Sequence, residues 1–547
     1  MNCKMPSYIQ STRLTHSVYL EDIDCILCHR SFNGVEQFLI RWKHVTLASP
    51  RSAVVSWHPI SELSRCLQLV QTYVEEQGVG EGKASGLQLP LLPTSRKRKT
   101  PDHEHEHEHE HEIERSQVNI RGASGLLSPL PSHVGSVSPK MLSPEFDVLV
   151  YNGFLKRKCG RIFALHLRRF SDSFTEIDAT TLPNADMTRA ARLTPLVSTA
   201  RAIRLGFLEK LRRVNGLYLE NKVNSTTPPL HFRFIKEYVF LDDELQTSND
   251  AFVGCQQCRP NMGQNIGCEY TQKCDCLEYA NVDEEKLKST NLVMYNKYIE
   301  DLKTSGQVDT LGLPKRFPYT KPNLDNPNVP QKLLAYYRES RYPIYECNHK
   351  CRCGPRCKSR LVQKGRKVPL TIFKTDNKRG WGVYCNEDLV QGQFIDTYLG
   401  EVITSQEADR READSGSEKN SYLYALDKFV GEGGITEENC LVIDGQYMGG
   451  PTRFINHSCE PNCRQYTVSY NKYDNRLYNL AFFAYENIPA GVELTFDYMD
   501  LDEVEEDEAI RLREAAMKDP RNAGRVPCNC GTVKCRGFLW DQSRDEA

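Results

Sequence analysis

No stretch of this chain approaches the roughly 18 consecutive apolar residues that a membrane-spanning helix needs. The opening residues, Met1 to Arg13, lack the apolar centre of a secretory leader, so export is not expected. Charge of one sign is also missing: the formal net charge is only -2. Residues 76–143 have little that could form a core; Gly, Ser, Pro and charge dominate, so a disordered linker is expected there. Hydrophobic residues make up 39% and charged residues 26%, the ordinary balance of a globular protein. At 547 residues the chain exceeds one compact core, and roughly two to four domains are expected.

Cysteine is what the chain does have. There are 21, most of them in the last 300 residues or so. Without an export signal, clustered CxC and CxxC spacings read as thiolate metal sites in a reducing compartment. Cys255, Cys258, Cys268, Cys274 and Cys276 form one group, and Cys347, Cys351, Cys353 and Cys357 another, about 70 residues further on. Nine sulfurs satisfy three tetrahedral zinc ions if three of them bridge, and otherwise two four-cysteine sites with one spare. A third group, Cys528, Cys530 and Cys535, is one ligand short of a closed zinc site. Apart from Cys459, which lies in the string RFINHSCEPN, the remaining Cys3, Cys25, Cys28, Cys66, Cys159, Cys385, Cys440 and Cys463 are expected to be buried free thiols.

The nine-cysteine array resembles the pre-SET module of the suppressor-of-variegation class of SET-domain methyltransferases. One departure is visible: that family opens with CxC, whereas Cys255 and Cys258 are separated by two residues. Phe232 to Phe240 looks like the family's lead-in strand. Downstream, four strings follow in SET-domain order. They are Gly380-Trp381-Gly382-Val383, Tyr398-Leu399-Gly400-Glu401, Arg453 to Asn462 (RFINHSCEPN) and Glu493 to Tyr498 (ELTFDY).

This resemblance implies a transferase that moves a methyl group from S-adenosylmethionine to a lysine amine. The amine must be neutral, although free lysine has a pKa of about 10.4. It must also lie in line with the sulfonium methyl. An aromatic channel does both, by desolvating the ammonium and aiming the nitrogen. The resemblance makes Tyr498 the central channel tyrosine and Tyr422 a second, and it puts Phe496 where product state is set, favouring di- or trimethylation. It assigns Gly380, Trp381, Gly382, Arg453, Asn456, His457 and Phe538 to the cofactor. It makes Cys459 the fourth ligand of the C-terminal zinc, for four zinc ions in all, and it expects the Asn456–His457 segment to be tucked beneath the Glu493–Tyr498 strand.

The N-terminal segment has its own resemblance. Ile23 to Arg30, Phe38 to Lys43 and Trp57 to Leu63, followed by an apolar-periodic stretch to Tyr73, resemble a chromodomain, a small sheet with a C-terminal helix. Such modules hold methyl-lysine in an aromatic cage. Trp42 falls on a cage position and is the candidate reader; Val45 and Glu21 stand where aromatics are usual, with Tyr19 nearby.

The expected architecture is therefore multidomain and mostly β. It comprises a chromodomain-like module (15–75), the linker (76–143), a helical and lead-in region (144–250), a pre-SET zinc cluster (251–360), a SET catalytic domain (361–500), a charged insert (501–527) and a post-SET zinc module (528–541). The insert's single lysine, Lys518, is where self-methylation would act if the insert is self-inhibitory. The expected substrate is the histone H3 tail on the nucleosome, at lysine 9, in nuclear chromatin among heterochromatin proteins, as in the fungal-type enzymes of this class. The acidic stretches Glu432 to Glu438 and Asp500 to Glu508 suit a basic peptide. The basic block Ser95 to Thr100 reads as a nuclear import signal or a nucleic-acid contact, and nucleic acid could also be met by a helix over Met187 to Asn215, which carries Arg189, Arg192, Arg201, Arg204, Lys210, Arg212 and Arg213. Two alternatives stand beside this reading: a silent chromatin scaffold that keeps the zinc folds, and a methyltransferase for another lysine.

Overall fold

The computed structural model describes residues 19–43, 55–78, 155–158, 161–167, 172–177, 183, 185–246, 252–260, 267–415 apart from 271, 273, 306, 307, 324 and 356, 422–499, 511 and 526–539. The basic block at 95–100, Val45, Lys518, and Asp500 to Glu508 lie outside them.

At the N-terminus, Ile23–Phe32, Val35–Trp42 and Val55–Pro59 make an antiparallel three-stranded sheet. Asn33 and Gly34 join the first two strands with φ of 49° and 75°. Two successive positive φ values are those of a type I′ turn, which matches the twist of a hairpin. A 3-10 turn at Ile60–Leu63 leads to the helix Leu67–Glu76, whose Val70 and Tyr73 pack on Phe38 and Ile40 of the sheet. The expected sheet and closing helix are thus both present.

The expected helix over Met187 to Asn215 is broken in two, Ala185–Leu193 and Val197–Leu211. Pro195 is the cause: it lacks the N–H the helix needs and disfavours helical backbone at Thr194. The N-terminal sheet grips the break. Glu36 accepts from the backbone N–H groups of Ser198 and Thr199 at 2.7 Å and from the Thr199 hydroxyl at 2.6 Å. A carboxylate at this end of a helix satisfies orphan donors and favours the dipole. A further three-stranded sheet, Leu155–Lys158, Arg161–Leu167 and Asp172–Ile177, was not foreseen in this region.

The lead-in segment does not form one strand. Arg233–Phe234 pairs parallel with Met448–Gly449, and Val239–Phe240 pairs parallel with Glu401–Val402. Leu217–Glu220 likewise adds parallel to Leu370–Phe373. The stretch before residue 250 is therefore built into the catalytic sheets. Its Phe207, Leu217 and Phe232 share one core with Ile372, Val383, Ile443 and Phe482.

The insert between the two cysteine groups carries helices Glu284–Thr290 and Leu292–Ser305, closed over Val282, Leu287 and Tyr298. No described helix is long and apolar enough to cross a membrane.

Candidate active site

The nine cysteines of the array converge. Their buried cluster contains little besides sulfur: Leu277, Phe317 and, at its margin, Ala280. Cys255, Cys258, Cys274 and Cys276 have all their sulfurs within 4.8 Å of one another, and so do Cys268, Cys347, Cys353 and Cys357. A further set joins Cys276 and Cys347 to Cys351. Tetrahedral zinc with Zn–S of about 2.3 Å puts its sulfurs about 3.8 Å apart; Cys276–Cys351 and Cys347–Cys357 are both at 3.9 Å. The residues fit the metal. Gly254 is needed beside them, because a Cβ there would meet the Lys350 carbonyl carbon at 2.1 Å.

Cys459, far upstream in sequence, joins Cys528, Cys530 and Cys535 in a second compact set. Cys459 and Cys528 are 3.9 Å apart. Arg536 clamps this tail down with a two-pronged ion pair to Asp497, at 2.6 and 2.7 Å.

Between that tail and the sheets lies a cavity of about 810 Å³. Gly380, Trp381, Tyr422, Arg453, Asn456, His457, Phe496 and Tyr498 all line it, together with Cys528 and Cys530. Asn456–His457 runs parallel to Thr495–Phe496, and Ser458 N–H donates to the Phe496 carbonyl at 3.0 Å. The segment is therefore tucked against that strand as expected.

Tyr498 sits at the meeting point. Its ring lies 4.8 Å from Phe496 and 5.3 Å from His457, and its hydroxyl donates to the Ile455 carbonyl at 2.9 Å. Its surface is 37% exposed, opening onto the cavity. The packed surroundings of the phenol still push its pKa up, with Tyr422 adding to the shift, so the hydroxyl stays neutral and able to donate.

Two expected site residues are placed apart from the cavity wall. Gly382 lies behind it, where a Cβ would meet Glu493 Oε1 at 2.7 Å and Phe373 at 2.8 Å. Phe538 bridges back to Pro527, and its neighbour Leu539 lines the cavity instead. Sequence reasoning quoted the strings containing Tyr398 and Glu493 without giving either a role. Tyr398 donates to the Tyr422 carbonyl at 2.8 Å, and Glu493 accepts from Asn456 Nδ2 at 2.8 Å while pairing with Arg379.

A SET-domain family profile matches residues 380–499, and a Pre-SET motif profile matches residues 211–360. The H3 lysine-9 specific histone-lysine N-methyltransferase dim-5 of Neurospora crassa is 37% identical over 317 residues, 57% of this chain and 84% of that protein. The chain belongs to the SET-domain histone-lysine N-methyltransferases. The H3 lysine-9 specific enzyme KMT1 of Fusarium mangiferae is 36% identical over 58% of this chain and 87% of its own length. SUV39H2 of Xenopus tropicalis is 40% identical over 36% of this chain and 46% of its own.

In this methyltransferase the pre-SET match takes in residues 211–250, upstream of the cysteine array. That agrees with the parallel pairing of Leu217–Glu220 to the catalytic sheet. The eight other cysteines divide as follows: Cys28, Cys66, Cys385, Cys440 and Cys463 are buried thiols, Cys25 is half-buried, and Cys3 and Cys159 lie outside the described residues. Of the helical basic residues, Arg189, Arg192, Arg201, Arg212 and Arg213 are exposed. Lys210 is committed to structure, donating to the carbonyls of Leu230 and Phe232.

At the N-terminal module, Trp42 packs edge-on against His58 at 5.4 Å, and the Tyr19 ring is covered by Arg65 at 5.1 Å.

Proposed function

We propose that this chain methylates lysine 9 of the histone H3 tail, using S-adenosylmethionine, to the di- or trimethyl state. The reading is carried by one observation: Tyr422, Phe496 and Tyr498 share a cavity with Gly380, Trp381, Asn456 and His457. A volume of about 810 Å³ lies within the usual range for small-molecule sites and accommodates a nucleoside-amino acid plus a lysine side chain. The cofactor, when bound, supplies an electrophilic methyl. The chain's own groups do the rest. The aromatic walls take the lysine ammonium out of water and favour its neutral form. The Tyr498 hydroxyl, fixed on the Ile455 carbonyl, orients the amine at the wall it shares with Phe496. Phe496 brings no hydroxyl that would hold the amine after one transfer. Asn456, fixed by Glu493, and His457, which accepts the Tyr498 backbone N–H at 3.2 Å, hold the cofactor side.

The related enzymes' specificity, the acidic 432–438 stretch and the chromodomain-like N-terminal module support an H3 substrate in nuclear chromatin, with heterochromatin proteins as partners and the exposed helical arginines as a candidate DNA contact. The N-terminal module, with Trp42 as its candidate reader, the C-terminal tail as a post-SET module and the domain limits given above belong to the same reading. Mass spectrometry of an H3 tail peptide with purified protein and S-adenosylmethionine tests it. Two or three added methyls, absent when the target lysine is Arg, are expected. Cofactor-binding, zinc-replete protein that leaves the peptide unmodified overturns it in favour of a scaffold or another substrate.

Zinc stoichiometry is a second test. Nine sulfurs serving three ions require three bridges, and Cys276 and Cys347 each already belong to two sets. Four zinc ions per chain are therefore expected by elemental analysis, three in the array and one in the tail. Three per chain would mean separate four-cysteine sites with Cys351 unused. Chelation should unfold the array, since a core of thiols has little apolar surface to hold it and zinc supplies on the order of 10 kcal/mol per site.

A further inference from the structure

The cavity has one wall that the SET and pre-SET segments do not supply. Val74 and Glu75, on the last turn of the helix Leu67–Glu76, line it beside Thr226, Thr227 and Pro229. That helix is firmly docked. Buried Gln71 donates through Nε2 to the Thr227 carbonyl at 2.8 Å and accepts from the Leu230 N–H at 2.7 Å. Leu67 lies so close to Gly206 that a Cβ there would stand 3.2 Å from its Cδ1. The same module caps the helix Val197–Leu211 through Glu36. His29 reaches the Thr194 carbonyl at 3.2 Å. The N-terminal sheet, its helix and the catalytic core thus form one packed unit around the cavity.

Glu75 is held by one of its two oxygens, Oε1, which accepts from Gln71 Nε2 at 2.9 Å. Glu75 is exposed to the cavity; the walls around its carboxyl raise its pKa, against the Gln71 hydrogen bond and the charge of Lys374, which lines the same cavity. Lys374 in turn stands 5.3 Å from the Trp381 ring, beside Gly380. A carboxylate and an ammonium therefore flank one end of the cavity, the end occupied by Gly380 and Trp381.

We propose that Glu75 and Lys374 read the zwitterionic methionine end of S-adenosylmethionine, Glu75 receiving its α-ammonium and Lys374 its α-carboxylate. The N-terminal module is then part of the cofactor pocket and not only a separate attachment. This rests on the S-adenosylmethionine reading above. The pocket is incomplete without a helix some 300 residues upstream of Trp381, and Glu75 is a specificity residue that the SET strings do not contain.

The test uses the full chain with Glu75→Gln and Glu75→Lys, measuring binding of S-adenosylmethionine and of 5′-methylthioadenosine, which keeps the nucleoside but lacks the amino-acid end. Both substitutions are expected to weaken S-adenosylmethionine, by about three- to tenfold for Gln and more for Lys, because a partly solvated charged hydrogen bond is lost or reversed. Affinity for 5′-methylthioadenosine should stay within about twofold, and the KM for S-adenosylmethionine should rise while kcat holds. Wild-type affinity in both variants overturns the proposal. Equal weakening of both ligands overturns the ammonium assignment, placing Glu75 against the nucleoside. A wild-type chain that binds neither ligand would instead sink the underlying cofactor reading.

Discussion

Cys530→Ser should reduce methyl transfer by on the order of 100-fold or more while leaving the melting of the catalytic core nearly unchanged. The tail from Val526 to Leu539 has almost no core of its own; among its described residues only Cys535 is buried. What holds it is the four-sulfur set with Cys459, the Arg536–Asp497 ion pair and the short pairing of Pro527 with Phe538. Removing one thiolate opens the metal site, and the contacts that remain, Arg536 to Asp497 and Lys534 N–H to Glu460, hold residues 534–536 and not the Cys528–Cys530 stretch that lines the cavity. The loop matters because Cys528, Cys530 and Leu539 form one side of the cavity. Misplacing a wall by an ångström or so is enough for a 100-fold loss when reacting atoms must be in line. The main hydrophobic core, by contrast, runs from Ile203 to Phe496 and includes none of the tail. Peptide methylation and calorimetry on the same preparation separate the two effects. Wild-type turnover in the variant would show that the tail is held without the metal. A collapse of the main melting transition would show that the site is a general staple.

Tyr498→Phe is the other large effect. The substitution keeps the ring between Phe496 and His457 and deletes only the hydroxyl that donates to Ile455. The stability cost should be about 1 kcal/mol, the net worth of one hydrogen bond. The kinetic cost should be far larger, a fall in kcat of roughly 100- to 10,000-fold, the span seen when a positioned polar group at a reacting centre is removed. Binding of S-adenosylmethionine should change little, since Asn456 and His457 keep their partners in Glu493 and the Tyr498 backbone N–H. Single-turnover kinetics with cofactor affinity measured separately would decide. A kcat within tenfold of wild type would remove Tyr498 from the reacting centre, and a parallel loss of affinity would make it a packing residue for the pocket.

Much of this was legible in the residues themselves. Cysteine spacing marked the metal clusters, because thiolate ligands must recur at short intervals to close a tetrahedron. Four ordered strings marked the cavity, and Asn33-Gly34 marked the hairpin, because few residues accept its positive φ values. The break at Pro195 could have been read from the sequence, since proline's missing N–H is a local property. Other features had no local signal. The three two- to four-residue pairings of 217–240 with distant strands are too short for any hydrophobic period to show. Nothing in the sequence linked Glu36 to the helix at Val197, or Gln71 to Leu230, because each is one polar side chain meeting a backbone some 160 residues away.

The sequence alone therefore carried the chemistry that the site is built for: which cysteine sulfurs gather into sets that fit a metal, and which ordered strings supply the aromatics and Gly380 of the cavity. Those properties belong to residue types and short spacings. Only the tertiary structure decided which residues share the cavity. It put Leu539 in place of Phe538 on one wall, added Tyr398 and Glu493 as supports, and brought Glu75 from the N-terminal helix to the same chamber. Such neighbours are set by how sheets and helices pack, and packing depends on the summed burial of many side chains rather than on any one string.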